Sequence, residues 1–172
     1  RAPSEAPKHR VTITKPFCLG LCEVTQAEYK RVMGSNPSGS DGDPNRPAEK
    51  VTWLEAVEFC RRLSELPKEK AAGAAYRLPT EAEWSWAIRY QGGNGALKYS
   101  WGSEWPPRRD AGNYADKSAA DLVPTIIPAY DDGFASTAEG GKFPANALGI
   151  FDGAGNVGLG AGGVDVRGAP DD

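Results

Sequence analysis

Three segments of the chain begin with a polar cap and continue with apolar residues at helical spacing. Each has a threonine followed three residues later by a glutamate: Thr25 and Glu28, Thr52 and Glu55, Thr80 and Glu83. In such a capping box the threonine hydroxyl accepts from the backbone N–H of the glutamate, whose carboxylate accepts from the N–H of the cap. The pattern therefore predicts helices over residues 26–33, 53–65 and 81–90.

The helix predicted over 53–65 is amphipathic, because its apolar residues recur every three or four positions. Its predicted core-facing stripe consists of Trp53, Ala56, Val57, Cys60 and Leu63. In the helix predicted over 81–90, the inward positions are Trp84, Ala87 and Ile88. Gly34 is expected to end the first helix in a left-handed conformation, and Pro67 to end the second.

Outside these segments the pattern changes twice. Residues 9–25 alternate polar and apolar side chains and are rich in β-branched types, which predicts one or two strands. From residue 91 onward, short apolar runs are separated by Gly, Pro, Asn and Asp. This half is predicted to form long ordered loops with a few short strands, and long loops in compact domains are commonly functional.

Composition narrows the class of protein. At 172 residues, we expect one domain spanning 1–172, cut short at its C-terminus and with an N-terminus also open to truncation. The formal net charge is −3 with both signs interleaved, which excludes the basic field of a nucleic-acid-binding protein. No apolar run approaches the roughly 18 residues of a membrane span.

The chain has three cysteines. In a strand, Cys18 and Cys22 would lie about 13 Å apart, whereas a disulfide needs Cα atoms within about 7 Å. These two are therefore not expected to bond to each other. With Cys60 on a helical face, the three are interpreted as small buried thiols; the alternative is a bond from one of them to a partner outside this chain.

An ordered series of motifs carries a family resemblance between His9 and Val157. The motifs are EVTQAEYKRVMGSNPS, PAEKVTWLEAVEFCRRL, YRLPTEAEWSWAIR, YSWG, AGNY, YDDGF, FPANALGIFD and GNV. Together they resemble the formylglycine-generating enzyme (sulfatase-modifying factor) family. The resemblance implies an α+β, C-type-lectin-like fold with a small twisted sheet, two to three capped helices and long loops.

The resemblance also implies a chemistry that this chain does not reproduce. Catalytic members oxidise a sulfatase cysteine to formylglycine, using molecular oxygen and a copper ion held by two cysteines near the C-terminus of the domain. Here no cysteine follows Cys60. Copper is thus expected for the active family but not supported in this chain, and no residue is assigned as catalytic.

Calcium is the cofactor that the resemblance does support, in a structural role. The first family site maps to the Asn113 side chain, the Tyr114 carbonyl, the Asp132 carboxylate and the Phe134 carbonyl. These are oxygen ligands of the kind that calcium prefers. The alternative interpretation is that Asp131-Asp132-Gly133 is only a turn and Asn113 an ordinary loop residue.

A second calcium site is degenerate in this sequence. Asp152, Gly155 and Val157 match its remaining positions, one by a carboxylate and two by backbone carbonyls. The family continues after GNV with Trp-Glu-Trp, whose glutamate is a ligand, but this chain has Leu159 at that position. A leucine side chain cannot bind calcium, so too few oxygens remain.

Two functions from different classes stay open. The first is a formylglycine-generating-type domain that is catalytically incompetent as this chain. The second is a lectin-like module for a peptide or carbohydrate, of the type produced by diversity-generating retroelements; a structural appendage is a third possibility. The candidate ligand surface is Trp101, Trp105, Arg108 and Arg109; the alternative interpretation is that these residues pack into the core and loops.

Partner and location follow from the same two hypotheses. The expected partner is a sulfatase-type peptide or another protein or carbohydrate ligand. A bacterial source is expected. The compartment is left open, with an extracytoplasmic location favoured.

Overall fold

The computed structural model describes residues 9–40, 42–90, 97–153 and 155–157, together with the backbone of 166–168. Its elements, in chain order, are β1 (Phe17–Leu19), α1 (Gln26–Met33), α2 (Trp53–Glu65), α3 (Pro67–Ala71), β2 (Tyr76–Arg77), α4 (Glu81–Arg89), a 3₁₀ turn (Lys117–Ala119) and β3 (Val166–Gly168). In this part of the chain no helix is both long and apolar enough to cross a membrane.

All three predicted capping boxes are present at the starts of α1, α2 and α4. At α2, for example, the Glu55 carboxylate accepts from the backbone N–H of Thr52 at 2.8 Å, and the Glu55 N–H donates to the Thr52 hydroxyl at 3.3 Å. Helix α1 ends at Gly34 with φ of 85°, a conformation that glycine adopts without strain. The helix boundaries predicted from the caps are thus confirmed.

The connection after α2 differs from the prediction. Leu66 is extended, with φ of −59° and ψ of 136°, as expected for the residue before a proline. Pro67, however, occupies the first turn of the short helix α3 instead of only ending α2. A proline fits there because its missing N–H would have no intrahelical partner at that position.

The strands form one small antiparallel sheet in the order β1-β3-β2. In the central strand, Arg167 pairs with Cys18 on one side and Tyr76 on the other. The strand predicted within residues 9–25 is much shorter than expected, because among the described residues no ladder partner lies beside 9–16. Val11 and Ile13 are accordingly 54% and 37% exposed. Alternating side chains predict a strand only where its backbone also finds a partner.

The first core lies between α1, α2 and β2. Its buried members are Val24, Tyr29, Ala48, Val51, Ala56, Phe59, Cys60 and Tyr76. The rings of Tyr29 and Phe59 stack at a centroid distance of 5.5 Å, which fixes α2 against α1. The predicted stripe on α2 was therefore partly wrong: Phe59 faces the core, whereas Trp53 is 65% exposed and Val57 39% exposed.

The second core anchors the loop half of the molecule to α4. Ala87 and Ile88 are buried against Ile150, with Leu19 and Trp84 packed beside them, as predicted for the inward face of α4. The side chain of Asn146 donates to the Ala87 carbonyl at 2.7 Å, satisfying an acceptor in the last turn of the helix. Residues 146–150 are thereby fixed at the C-terminal end of α4.

The three cysteines form no disulfide within the described part of the chain, and their environments differ. Cys60 is buried in the first core and Cys22 is half-buried. Cys18 is exposed, so the interpretation of three buried thiols is wrong for this residue. Cys18 lies in the edge strand β1. Successive side chains of a strand point to opposite faces, so Cys18 is exposed whereas Phe17 and Leu19, on the other face, are half-buried.

Glu83 has a second contact that its capping partners do not explain. Besides accepting from the Thr80 N–H at 2.7 Å, its carboxylate binds both terminal nitrogens of Arg77, at 2.8 and 2.6 Å. Its side chain is only 9% exposed. The Arg77 hydrogen bonds lower the pKa of Glu83 to about 2, against the opposing effect of burial. Glu83 thus joins α4 to β2.

We expect Glu83→Ala to lower the free energy of unfolding by about 2 kcal/mol, since it removes a charged bidentate contact as well as a cap. Glu55→Ala is the matched control, because Glu55 caps α2 in the same way and, among the described residues, has no ion pair with an arginine. The measurement is urea unfolding of both variants and the wild type. An equal loss in the two variants would contradict a special role for the Arg77 contact.

The same contact has a defined pH dependence. The folded-state pKa of Glu83 lies below its ordinary value of 4.5. Its contribution is therefore complete above that value and is lost as the pH falls toward 2. The stability difference between wild type and Glu83→Ala should shrink over that window.

Candidate functional site

The structure brings the two predicted calcium loops together. The backbone N–H of Tyr114 donates to Asp132 Oδ2 at 2.8 Å, and the N–H of Phe134 donates to Asp132 Oδ1 at 2.9 Å. Asn113 is buried beside them. All four residues assigned to the first site from sequence thus lie in one region, although 18 residues separate Tyr114 from Asp132.

Asp116, which the sequence analysis missed, also holds these loops together. Asp116 is fully buried and accepts from the Ser118 N–H at 2.8 Å and from the Asp132 N–H at 2.5 Å. Burial works against its ionisation, but the hydrogen bonds from the Ser118 hydroxyl and from backbone N–H groups outweigh it and lower the pKa of Asp116. Aspartate side chains often accept from the backbone N–H two residues further on, and this turn preference could have identified Asp116.

The donor types at the first site fit calcium. A carboxylate has about four lone-pair sites, so the two backbone bonds leave Asp132 able to accept a cation. Burial, followed by the nearby charges of Asp116 and Asp131, raises the pKa of Asp132. A bound cation would offset both effects. The Asn113 nitrogen donates to the Ser136 carbonyl and to Asn156, which leaves Asn113 Oδ1 as the ligand atom of that side chain.

Within the described ranges, no three His, Cys, Asp or Glu side chains gather as a metal cluster. The predicted first site contains a single carboxylate together with an amide and carbonyls, so it is a different kind of site. Its occupancy stays a prediction.

Asn156, in the GNV motif, connects the loops of the C-terminal half to Glu23, just before α1. Its amide nitrogen donates to Glu23 Oε2 at 2.8 Å and to the Ala138 carbonyl at 3.1 Å. Its amide oxygen accepts from the Ala138 N–H at 2.7 Å and from Asn113 at 3.1 Å. An asparagine amide offers two donors and two acceptor positions, so all of them are used. We call this set of contacts the Asn156 clamp.

Glu23 is the charged member of the clamp. Its second oxygen accepts from the Val157 N–H at 3.0 Å. Burial raises the pKa of Glu23 to about 7, assisted by the charge of Asp152 and opposed by the hydrogen bonds from Val157 and Asn156. Sequence reasoning could not have paired Glu23 with Asn156, because 133 residues separate them.

Asp152, assigned to the degenerate second calcium position, is only partly satisfied. One oxygen, Oδ2, accepts from the Gly141 N–H at 2.5 Å. The other, Oδ1, is buried and has no hydrogen-bond partner among the described residues. Burial raises the pKa of Asp152, although nearby backbone N–H groups from Gly141 to Phe143 oppose the shift.

Asp152 contributes the single carboxylate of this position, and its unpaired oxygen is buried. Gly155 and Val157 lie on the same turn but would contribute only carbonyls. Leu159, which replaces the family glutamate, lies outside the described residues. Calcium takes roughly six to eight oxygen ligands. One carboxylate and two carbonyls are too few, so these residues do not fit a calcium ion.

A cavity of about 370 Å³ opens beside Asp152, between the end of α4 and the loops at 97–114 and 143–155. This volume falls in the range of about 300–1,000 Å³ that is typical of small-ligand sites. The wall contains aromatic rings and charged groups together: Tyr90, Trp101, Tyr114, Arg108, Asp110 and Asp152.

The aromatic residues at this cavity form a connected group. Trp101 stacks on Tyr99 at 4.7 Å and meets Tyr114 edge-on at 4.9 Å. The ring centroid of Trp105 lies 6.1 Å from that of Trp101, and Trp105 is 59% exposed. Of the four residues predicted as a ligand surface, Trp101 and Arg108 line the cavity, Trp105 adjoins it, and Arg109 is exposed outside its wall.

Comparison with known proteins decides the family. The model of the sulfatase-modifying factor enzyme 1-like domain matches residues 1–158. The chain belongs to the sulfatase-modifying factor family. It is 34% identical over 137 residues to the formylglycine-generating enzyme of Thermomonospora curvata, an alignment that covers 78% of this chain and 38% of that enzyme. The family resemblance identified from the motifs is therefore confirmed.

A relative with a different name is similar to the same degree. The chaperone protein LppX of Paenibacillus barcinonensis is 33% identical over 170 residues, covering 82% of this chain and 60% of LppX. The chain thus spans less than two thirds of the length of either protein.

The fold is also shared with solved structures. Treponema denticola variable protein 1 superposes with a TM-score of 0.62 at 24% identity, over 82% of this chain and 60% of that one. At this identity the likeness concerns the fold alone. The α+β, C-type-lectin-like architecture of the formylglycine-generating type, predicted from the motifs, is confirmed.

Proposed function

We propose that this chain is a sulfatase-modifying-factor-type domain that binds a peptide ligand in the cavity beside α4 and does not itself oxidise the ligand. The observation that carries the proposal is the cavity, which is lined by aromatic rings, the Arg108–Asp110 ion pair and the buried Asp152. Small-ligand sites commonly combine apolar walls with a few fixed polar groups. A sulfatase-type peptide is the first ligand to test, because relatives are named formylglycine-generating enzymes.

The thiols support the non-catalytic half of the proposal. Copper(I) binds thiolates, and the family holds it with two cysteines near the C-terminus of the domain. Here Cys60 is enclosed in the first core, and Cys18 is exposed on β1. Burial, followed by the charges of Asp152 and Glu23, raises the pKa of Cys22 and so disfavours its thiolate. The thiols of this chain do not fit the copper site, and no step through copper is derived.

Calcium at the first site is a second proposal, carried by the contacts of Asp132 with both loops. The ion would be held by Asn113, Tyr114, Asp132 and Phe134, and its role would be structural. It would join two segments with almost no regular secondary structure, offsetting part of the entropy lost when they are ordered.

For the ligand cavity, we expect a synthetic peptide carrying the sulfatase cysteine motif to bind the wild-type chain and to leave it unmodified. Trp101→Ala should weaken binding at least about tenfold, because it removes an aromatic wall. Binding is measured by calorimetry, and conversion by the mass of the recovered peptide after incubation with copper(I) and oxygen.

Trp53→Ala is the matched control for this experiment. Trp53 is a second tryptophan that lies on α2, is exposed and does not line the cavity. Unchanged affinity in Trp101→Ala would exclude the cavity as the binding site. Conversion above a protein-free blank would overturn the non-catalytic assignment.

For calcium, we expect the wild-type melting temperature to rise when calcium replaces a chelator, and Asp132→Asn to abolish that rise. The variant should also melt somewhat lower in chelator, because Asp132 accepts two backbone hydrogen bonds. The decisive quantity is the calcium-dependent difference within each protein, measured by calorimetry.

Asp131→Asn is the control, since Asp131 is the exposed neighbour of Asp132 and carries the same charge. It should retain the calcium response. If Asp132→Asn responds to calcium as the wild type does, the first site does not bind the ion.

A further inference from the structure

Tyr114 belongs to both proposed sites at once. Its backbone lies at the first calcium site, where the N–H donates to Asp132 Oδ2 at 2.8 Å and the carbonyl is a predicted ligand. Its side chain lines the cavity beside α4. A residue of this kind transmits a change at one site to the other, provided that its ring cannot turn independently of its backbone.

The packing of the Tyr114 ring leaves it little room to turn. A Cβ atom added at Gly155 would lie 2.6 Å from the ring, and one added at Gly112 would lie 3.0 Å from it, so no side chain fits at either position without displacing the ring. Trp101 and Tyr130 meet the ring edge-on, at centroid distances of 4.9 and 5.9 Å. Closely packed groups transmit displacements to their neighbours, so the ring moves with its own backbone.

The loops of the first site are also joined by a contact that uses none of the predicted ligand atoms. Tyr130 is 2% exposed, and its hydroxyl donates to the Gly112 carbonyl at 2.6 Å and accepts from the Gly112 N–H at 3.2 Å. This contact holds the two loops side by side. Ion binding therefore acts on the positions of the ligand groups, among them the Tyr114 carbonyl, and not on the pairing of the loops.

We propose that calcium at the first site fixes the Tyr114 ring in the cavity wall and so tightens the binding of the peptide ligand. This inference rests on the proposed function and on the proposed calcium site, and it specifies how the ligand cavity is regulated. With the ring fixed beside Trp101, the ligand meets a wall that need not be ordered on binding, which lowers the entropy cost of association. Coupling between two binding equilibria is reciprocal, so the peptide must tighten calcium binding by the same factor.

The first test measures the affinity of the sulfatase-motif peptide for the wild-type chain by calorimetry, in calcium and in chelator. We expect binding to be at least about fivefold tighter in calcium, a coupling at the low end of the usual range. Saturating peptide should lower the dissociation constant of calcium by the same factor. Asp132→Asn should remove the difference between the two conditions, which would locate the effect at the first site.

Tyr114→Leu separates the ring from the ion. Leucine keeps the backbone carbonyl, so the calcium-dependent rise in melting temperature should remain, whereas peptide affinity should fall and lose its dependence on calcium. Tyr90→Leu is the matched control, because Tyr90 lines the same cavity from the end of α4, outside the calcium loops. It should keep the calcium dependence. If Tyr114→Leu keeps it as well, the ring is not the link and the proposal is wrong.

A readout without peptide tests the coupling separately from the proposed function. The emission of Trp101 should shift when calcium is added, because its ring meets that of Tyr114. The shift should be absent from Trp101→Phe and from Tyr114→Leu. An unchanged emission in a wild-type chain whose melting temperature rises with calcium would overturn the proposal, even if a variant does not fold.

The remaining outcomes distinguish the two proposals. If peptide binding requires Trp101 but is equally tight in calcium and in chelator, the coupling is wrong and the ligand cavity stands. If the peptide does not bind, while the Trp101 emission responds to calcium only when Tyr114 is present, the proposed ligand is wrong and the link between ion and cavity wall is supported. If calcium leaves the wild-type melting temperature unchanged, the first site fails and this inference fails with it.

Discussion

The loop half of this molecule depends on one fully used amide, that of Asn156. Its two donors and two acceptor positions connect Glu23, Asn113 and both backbone groups of Ala138. These partners come from three separate stretches of chain. Because a buried polar group costs free energy when it loses a partner, displacement of any of these stretches would leave the others unsatisfied. The Asn156 clamp therefore couples the loop at Asn113, the segment around Ala138 and the residues before α1.

In the rest of this half, side chains accept the backbone hydrogen bonds that carbonyl groups of helices and strands accept in the first half. Asp116 and Asp132 accept from backbone N–H groups of neighbouring loops, and Asn146 accepts from the N–H groups of Leu148 and Ile150. Each short polar side chain replaces a missing backbone partner. This arrangement leaves the loops irregular yet ordered, so aromatic and charged groups can surround a cavity at their junction with α4.

What could be predicted from sequence follows the range of the interactions. The capping boxes act over three residues, and their helices were predicted nearly to the residue. The core face of α2 was misassigned at Trp53 and Phe59, because periodicity gives a stripe but not which neighbour covers it. The Glu23–Asn156 contact was not predicted, since no local signal links residues so far apart. The pairing of Asn113 with Asp132 was inferred only through the family motifs, and the unpaired oxygen of Asp152 depends on packing that no motif encodes.

The central claim is that the Asn156 clamp also stabilises loop contacts in which Asn156 takes no part, such as the one between Tyr114 and Asp132. Native-state hydrogen exchange of Asn156→Ala tests it most directly. The Ala138 amide, which donates to Asn156, should lose protection at least about tenfold. The Tyr114 amide, which donates to Asp132 and not to Asn156, should lose protection with it, while amides within α2 keep theirs. If Ala138 exchanges faster and Tyr114 remains protected as in the wild type, Asn156 is only a local contact and the account is wrong.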